Sequence, residues 1–205
     1  MQIIAQHDNH YFQPPEMVTV IKLGGSLMQS DNLRDCLETI GRRYQGRAVV
    51  IVPGGGIFAD QVRLAQHHWQ FDDHTAHAMA LLAMQQMAWL FNGLKPDFIV
   101  AGSVAQIGGH TAQAKTVIWS PDIVELEQAG VAASWDITSD SLAVWLADAL
   151  SATELVLVKS AGIDANLSLA ELAERAIVDK AFCASVANAT FPIKIINAQH
   201  FNDRI

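Results

Sequence analysis

The sequence predicts an α/β fold, a three-layer αβα sandwich in which helices cover both faces of a mainly parallel central sheet. Short runs rich in Val, Ile and Leu alternate with longer helical patterns along the chain, and this alternation is typical of a parallel sheet. The short runs lack polar alternation, which indicates strands that are covered on both faces. A chain of 205 residues is long enough to bury one substantial core.

The first half of the chain holds the strands VTVIKL and AVVIVP. A helical pattern follows the first strand, and two helical patterns follow the second, the later one rich in Ala, Leu and Met. In chain order, these strands and helices are predicted over residues 18–23, 31–45, 48–53, 57–69 and 77–91.

The second half continues the alternation with the strands DFIVA, TVIWS, LVLV and IKIIN. Two helical patterns, SDSLAVWLADAL and LAELAERAI, lie between them. In chain order, these elements are predicted over residues 97–101, 116–120, 139–150, 155–158, 169–177 and 193–197.

The domain organisation follows from the same patterns. Residues 1–16 are predicted as a loose N-terminal extension, and residues 17–205 as a single domain. Turn-forming residues at 93–97 (GLKPD) and 130–136 (GVAASWD) are the best places for a division between two lobes.

The composition excludes several classes of function. A formal charge of −8 argues against a nucleic-acid partner, because such surfaces need clustered Lys and Arg. The apolar stretch at residues 76–91 contains polar residues and is shorter than the ~18 apolar residues that span a bilayer, so it is predicted as a buried helix and no membrane partner is expected. The charged fraction of 17% is low against about 25% in an ordinary soluble domain, and we therefore expect a homo-oligomer.

The N-terminus and the cysteines indicate a cytoplasmic protein. The first residues have neither a basic start nor a long apolar stretch, so no secretion signal is predicted. Cys36 and Cys183 do not form a CxxC pair and are predicted as reduced core residues.

Two glycine corners follow the first two strands. Lys22 lies near the end of the first strand and is followed by Gly24 and Gly25, and the second strand leads into GGG and then a helix starting at about Ile57. Because the carboxyl ends of parallel strands meet at one edge of the sheet, both corners are expected there. Glycine lets an anion approach backbone N–H groups, so the corners predict a cradle for phosphate.

Two other interpretations of these corners remain open. Each set of glycines can simply turn the chain from strand to helix. Gly54, Gly56 and Ala59 also match the dinucleotide-binding pattern G-x-G-x-x-A, with Asp72 or Asp73 near the position of its acidic residue. That acidic residue should close a second strand, whereas the sequence there predicts helix and loop. The Walker A pattern is absent from the sequence.

A third polar segment precedes the helix predicted at 139–150. Thr138 and Ser139 have the residue types that cap a helix N-terminus. An ionised Asp140 at the same edge of the sheet is suited to fix the position of a lysine beside a phosphate. Elsewhere, Trp135 is predicted to be a core or interface residue.

Four segments together resemble the amino acid kinase family. They are KLGGS at 22–26, VPGGGIFAD at 52–60, HAMALLAMQQM at 77–87 and ITSDSLA at 137–143, and they occur in the family's order. The resemblance implies the carbamate-kinase-like amino acid kinase fold and an ATP-dependent, Mg²⁺-requiring transfer of phosphate to a small molecule. The acceptor group would be a phosphate or a carboxylate.

Further segments resemble one branch of that family. SWDITSDSLA (134–143), VDKAF (178–182) and the ending at 191–205 are most similar to the compact kinases that phosphorylate (5-(aminomethyl)furan-3-yl)methyl phosphate in methanofuran biosynthesis. Another amino acid or nucleotide kinase of the family, or a catalytically silent ligand-binding or regulatory paralogue, remains an alternative.

The resemblance implies a division of roles within the chain. Residues 17–133 would hold the acceptor and residues 134–205 the nucleotide. Lys22 would neutralise charge on the transferred phosphoryl group, and Asp140 would orient Lys22. The phosphate- and nucleotide-binding residues would be Gly24, Gly25, Ser26, Lys159, Ser160 and Gly162, and the acceptor-binding residues Gly54, Gly55, Gly56, Arg63 and Ser139.

The chain departs from the family after the strand at 155–158. Many members have Thr-Asp-Val-Asp-Gly there, whereas Lys159 and Ser160 occupy the corresponding positions here. Lys159 either supplies a second phosphate-binding charge or is a solvated surface lysine. Arg63 likewise either binds an acceptor phosphate or carboxylate or makes a surface salt bridge.

No metal ligand is predicted on the protein, because Mg²⁺ can be held by phosphates and water. The spacing of the clustered histidines matches no standard zinc pattern, and contact with the acceptor or a lid over it is the better interpretation. These histidines are His67, His68, His74 and His77.

Overall fold

The structure is a computed structural model that describes residues 17–164 and 167–201. The N-terminal extension predicted over residues 1–16 lies outside the described residues. The predicted α/β fold is confirmed: one six-stranded sheet, parallel in every pairing, has helices on both faces.

The strands are numbered in chain order. Their spatial order in the sheet is β3-β4-β2-β1-β5-β6, so the first strand lies in the centre, between β2 and β5. The strands are β1 (Thr19–Leu23), β2 (Val49–Pro53), β3 (Ile99–Ala101), β4 (Thr116–Trp119), β5 (Glu154–Lys159) and β6 (Ile193–Asn197).

Helices connect these strands, and two short 3-10 helices lie at Gly25–Gln29 and Ala198–His200. The α-helices are α1 (Asn32–Arg43), α2 (Gly56–Trp69), α3 (Asp73–Leu94), α4 (Val104–Thr111), α5 (Ile123–Gln128), α6 (Ser139–Ala149), α7 (Leu169–Glu174) and α8 (Phe182–Val186).

The sheet separates two hydrophobic cores, which confirms the three layers. Alternate residues of a strand point to opposite faces, so Val20 joins one core and Ile21 the other. Helix α6 packs in the core of Val20 and helix α1 in that of Ile21, while α3 contributes to both. The face covered by α6 is the one that carries the polar residues described below.

Helix α3 is less buried than the sequence analysis predicts. Its Met84 and Met87 are buried, but Leu82 and Trp89 are 46% and 64% exposed. The helix therefore presents one apolar face to the core and leaves apolar side chains on the other. None of the described helices is both long enough and apolar enough to cross a membrane.

Helices α4 and α5 are absent from the sequence-based prediction. Gly108 and Gly109 lower the helix propensity of α4, but Ser103 and Gln106 form a capping box that starts it. Helix α5 follows its N-cap residue Asp122, whose carboxylate accepts from the backbone N–H groups of Val124 and Glu125. In both helices the local caps prevail over a weak periodic pattern.

The N-terminus of α6 is capped by a residue far along the chain. The carboxylate of Asp179 accepts from the Thr138 backbone at 2.8 Å and from the Ser141 backbone at 3.0 Å. It also accepts from the hydroxyls of Thr138 at 2.9 Å and Ser141 at 2.5 Å. The predicted caps by the Thr138 or Ser139 side chain are therefore wrong, because the Asp179 carboxylate takes the free donors.

We expect Asp179→Ala to lower the free energy of unfolding by about 2 kcal/mol, since a charged cap that accepts several hydrogen bonds is lost. Denaturant unfolding at neutral pH measures this change. The matched control is Asp136→Ala, which removes an exposed carboxylate paired with Lys180 at 3.2 Å. Such surface pairs contribute between 0 and about 1 kcal/mol. An equal loss in both variants would contradict the proposed role of the Asp179 cap.

Candidate active site

The two glycine corners lie side by side at the carboxyl edge of the sheet, as predicted. The backbone N–H of Gly54 donates to the carbonyl of Leu23 at 2.9 Å, which joins the second corner to the end of β1. A Cβ on Gly25 would collide with the backbone of Gly56, and a Cβ on Gly54 would collide with that of Gly25. The corners approach so closely that only glycine fits.

The structure corrects which corner N–H groups are free. Gly24 donates to the carbonyl of Val158 at 2.9 Å, and Gly54 donates to Leu23, so neither N–H is left for a phosphate. The backbone hydrogen bonds of the sheet continue one residue beyond β1, toward β5, and one residue beyond β2, toward β1. These bonds use the N–H groups of Gly24 and Gly54. Among the described residues, Gly25 and Gly55 keep backbone N–H groups without a carbonyl partner at this edge.

Three buried charged side chains meet beside the corners. The Lys22 ammonium lies 2.9 Å from Oδ1 of Asp140, and the Lys159 ammonium lies 2.6 Å from Oδ2. The residues are 3% (Lys22), 3% (Asp140) and 9% (Lys159) exposed. One carboxylate therefore holds two ammonium groups, and the Lys22–Asp140–Lys159 triad has a surplus positive charge when all three are ionised.

The parallel register explains why these residues meet. Lys22 on β1 pairs with Leu157 on β5, so Lys159 lies at the next position of β5 that faces the same way. That face is covered by α6, and Asp140 lies in the first turn of this helix. The Asp179 cap fixes the same turn and thereby the place of Asp140.

The surroundings of the triad lower the pKa values of Asp140 and Lys159. Burial disfavours the charged form of Asp140, but the charges and hydrogen bonds of Lys22 and Lys159 outweigh it and lower the pKa of the carboxyl below its usual value. Burial, reinforced by repulsion from Lys22, lowers the pKa of Lys159 to about 8, against the opposing attraction of Asp140. The triad thus holds a carboxylate that stays ionised and a lysine that loses its proton more readily than an exposed lysine does.

The interpretation of Lys159 as a solvated surface lysine is wrong. Its ammonium is buried and bonded to both oxygens of Asp140, at 2.7 and 2.6 Å. Ser160, the next residue, is exposed, and its hydroxyl lies 2.7 Å from that of Ser26. This contact joins the end of β5 to the first glycine corner.

Two cavities open on the site. The first, of about 260 Å³, lies between the corners and helices α2, α3 and α6, and is lined by Gly54, Gly55, Gly56, Asp60, His77 and Ser139, among others. The second, of about 620 Å³, is lined by Lys22, Asp140, Lys159, Ser160 and residues 173–180, among others. Gly25, Ser26, Arg63, Trp135 and Thr138 line both cavities. The triad therefore borders the second cavity, close to the shared boundary.

The remaining predicted site residues differ in how they are placed. Ser139 is buried and lines the first cavity, next to the second glycine corner. Gly24 lines the second cavity. Gly162 lines neither cavity, and its α-carbon faces open space. A role for Gly162 in binding nucleotide stays a prediction.

Arg63 lies between the cavities without an acidic partner in the described part of the chain. Its guanidinium is 3.8 Å from the ring centre of Trp135, a cation–π contact. The Trp135 indole N–H donates to Oε1 of Gln66 at 2.6 Å, which fixes the ring. Trp135 is half-buried in the cavity wall, so the prediction of a core or interface residue missed its place in the site.

The clustered histidines differ in their surroundings. Residues 17–164 and 167–201 contain no group of three or more His, Cys, Asp or Glu side chains that could hold a metal ion. His74 pairs with Glu127 at 3.1 Å on the surface. His77 lines the first cavity, and its Nε2 is buried without a hydrogen-bond partner among the described residues.

Three residues that shape the site were missed by the sequence analysis or assigned another place. Asp60 lines the first cavity, Trp135 lies in the wall between the cavities, and Asp179 caps the helix of Asp140. The position of Asp60 one turn from Arg63 on a predicted helix was a readable signal. The contacts of Trp135 and Asp179 join distant parts of the chain, so local patterns gave no sign of them.

Known proteins are similar to this chain in sequence and in fold. One curated relative, a [5-(aminomethyl)furan-3-yl]methyl phosphate kinase of Methanocaldococcus jannaschii, is 26% identical over 140 residues. The match covers 67% of this chain and 63% of the relative's length.

Solved structures of uridylate kinases share the fold. The enzyme of Archaeoglobus fulgidus superposes with a TM-score of 0.66 at 15% identity, covering 88% of this chain and 90% of its own. That of Ureaplasma parvum gives a TM-score of 0.68 at 15% identity, covering 91% and 92%.

The sequence profile of the amino acid kinase family matches residues 17–163, which include both glycine corners and the triad. The chain belongs to the amino acid kinase family.

Proposed function

We propose that the protein is an ATP-dependent kinase of a small molecule with a phosphate or carboxylate acceptor group. The observation that carries the proposal is the Lys22–Asp140–Lys159 triad, which holds two ammonium groups with one carboxylate at the glycine corners. Such a group has surplus positive charge where a phosphoryl group needs it, and phosphoryl transfer depends chiefly on positioning and charge stabilisation.

The two cavities suit the two substrates. The larger cavity borders both lysines, so the triphosphate of ATP would lie there with its γ-phosphate toward the corners. The smaller cavity, beyond the second corner, would hold the acceptor. Its oxygen attacks the γ-phosphorus in line, the bond from that phosphorus to the β-phosphate oxygen breaks, and ADP leaves. Lys22 and Lys159 stabilise the charge that moves to the leaving oxygen.

The residues at the site are compatible with Mg²⁺ that arrives with ATP. They offer ammonium groups and backbone N–H groups rather than a cluster of carboxylates, and the described residues include no protein cage for a metal. Mg²⁺ bound by phosphates and water would neutralise phosphate charge. The chain's own contribution is to hold the phosphates from the opposite side.

Among acceptors, we favour (5-(aminomethyl)furan-3-yl)methyl phosphate, a precursor of methanofuran-type cofactors. The curated relative carries the name of this activity, and the cavity of about 260 Å³ is slightly smaller than the usual ligand site of roughly 300 Å³ or more, which suits a small acceptor. The uridylate kinases share the fold. Because they act on a different acceptor, an acceptor of another kinase in the family is the second candidate.

A silent paralogue and a nicotinamide-dependent enzyme have less support. The altered sequence at Lys159 suggests a silent ligand-binding or regulatory paralogue, but this lysine is paired within the site. A nicotinamide-dependent enzyme would need an acidic residue at the end of the second strand of its fingerprint. Asp72 instead caps the N-terminus of α3, and Asp73 is the first residue of that helix.

We also propose that the protein is cytoplasmic. Cys36 is buried, Cys183 is half-buried, and both are free thiols, which supports the predicted cytoplasmic location. The partners would be ATP and the acceptor.

The deciding experiment is the measurement of ADP release with a panel of phosphorylated alcohols, amino acids and nucleoside monophosphates as acceptors. If none of them supports release, the kinase proposal is wrong.

Replacing Lys22 tests the catalytic role. We expect Lys22→Met to fold normally, because Asp140 keeps Lys159 as its counter-charge, and to lose about 3 to 4 kcal/mol of transition-state stabilisation. Turnover measured by ADP release should therefore fall by two to three orders of magnitude. Lys115→Met, a lysine that lines neither cavity, is the matched control. Near wild-type turnover in Lys22→Met would refute the assignment.

Replacing Lys159 tests whether its charge binds the nucleotide. The pKa of about 8 belongs to the free enzyme, so the ammonium is charged below pH 8 and is lost as the pH rises through that value. We expect kcat/KM for MgATP to fall above pH 8, approaching about tenfold per pH unit, because this parameter reports groups of the free enzyme.

The variants of Lys159 separate its charge from its shape. Lys159→Arg keeps a charge at all these pH values, so the fall in kcat/KM should move to higher pH. Lys159→Met should give low and pH-independent kcat/KM over the same range. If Lys159→Met leaves both the affinity for ATP and turnover intact, the role is wrong.

The homo-oligomer stays a prediction. Apolar side chains on α2 and α3 are exposed, Trp69 by 74% and Trp89 by 64%, and burying them would be favourable. We expect light scattering at micromolar concentration to give a mass above the 22.3 kDa of one chain. A monomer at that concentration would remove the prediction.

A further inference from the structure

Two opposite charges in the first cavity lie one helical turn apart and do not pair. Asp60 and Arg63 occupy positions on α2 where an acid and a base normally attract each other. Arg63 instead stacks on Trp135, and Asp60 has no ion-pair partner among the residues described. Both side chains line the first cavity, so both charges are available to a ligand.

A neutral histidine lies in the same cavity. Burial, together with the nearby charge of His74, lowers the pKa of His77, so the ring is uncharged at neutral pH. Nε2 of His77 is buried and has no hydrogen-bond partner among the described residues. A neutral imidazole accepts at one nitrogen, and Nε2, the nitrogen without a partner, would accept a donor from a ligand in the tautomer protonated at Nδ1.

Asp60 places an exposed carboxylate in the wall of a cavity that would hold anions. The cavity adjoins the corners, where the γ-phosphate of ATP would lie, and an acceptor phosphate would bring more negative charge. Asp60 is exposed, so water weakens its repulsion of these anions, and a cation next to it would remove that repulsion. Arg63, the cation of this cavity wall, stacks on Trp135, and much of the remaining wall is apolar: Leu81, Met84, Ile137 and Leu142.

We propose that the acceptor carries a primary ammonium group as well as its anionic group, and that Asp60 and His77 bind the ammonium while Arg63 binds the anion. This inference rests on the kinase function proposed above. An ammonium group offers three donors, enough for the carboxylate and for Nε2 of His77. The guanidinium, oriented by Trp135, is suited to two oxygens of a phosphate or carboxylate.

The inference separates the candidate acceptors by chemistry. The substrate in the curated relative's name has an aminomethyl group and a phosphate, which are the two groups that this cavity would bind. Uridine monophosphate has no cationic group, so Asp60 would face only repulsion. Asp60 is therefore proposed to be the residue that sets specificity for amine-bearing acceptors.

The test compares two acceptors that differ in the amine alone. They are (5-(aminomethyl)furan-3-yl)methyl phosphate and (5-methylfuran-3-yl)methyl phosphate, each with saturating MgATP and ADP release as the readout. We expect wild-type kcat/KM to favour the amine by at least about tenfold, as for a charge-assisted hydrogen bond. In Asp60→Asn the preference should fall toward one, mainly through a higher KM for the amine.

Two further variants complete the comparison. His77→Phe, which removes the ring acceptor, should reduce the preference less than Asp60→Asn does. Glu38→Gln removes an exposed carboxylate on α1 that lines neither cavity, and it should keep the wild-type preference. Denaturant unfolding of each variant shows whether a change in preference comes from loss of folding.

The outcomes distinguish this inference from the kinase proposal. ADP release with both acceptors at equal kcat/KM, or an unchanged preference in folded Asp60→Asn, overturns the amine site and leaves the kinase function standing. Release with uridine monophosphate and neither furan also overturns it. Failure of all acceptors to give ADP overturns the kinase function itself.

Discussion

One buried carboxylate, that of Asp140, is the constraint on which the site depends. Two lysines and one aspartate have been taken out of water, and the cost of burying these charges is offset only where each ammonium keeps its partner. The arrangement needs β1, β5 and α6 in fixed relative positions. Because β1 is the central strand and α6 packs directly on its face, the sheet supplies that rigidity.

Two further contacts hold the parts that Asp140 joins. The Asp179 cap ties the first turn of α6 to the segment that borders the second cavity. The close approach of Gly25 and Gly54 ties the end of β1 to the end of β2. Direct contacts therefore connect the walls of both cavities to the elements that carry the triad.

The sequence predicted the fold well, because apolar runs and glycine corners are local signals of a parallel sheet. The resemblance to the amino acid kinase family also implied that Asp140 would orient Lys22, and the two side chains do lie together. The sequence could not show that Gly24 and Gly54 use their N–H groups within the sheet, or that Asp179 rather than Thr138 caps α6. Those outcomes depend on contacts between distant segments, and so does the burial of Lys159.

Lys159 adds a second ammonium group to the site from a neighbouring strand. A lysine at the end of β5 reaches the same carboxylate as a lysine on β1, because the two strands are neighbours. Without nucleotide, the two ammonium groups share one anion, and the pKa of Lys159 is lowered to about 8 by burial and by Lys22. A bound triphosphate would supply the missing negative charge and raise that pKa again. Binding of nucleotide and protonation of Lys159 should thus favour each other, since each provides the counter-charge that the other lacks.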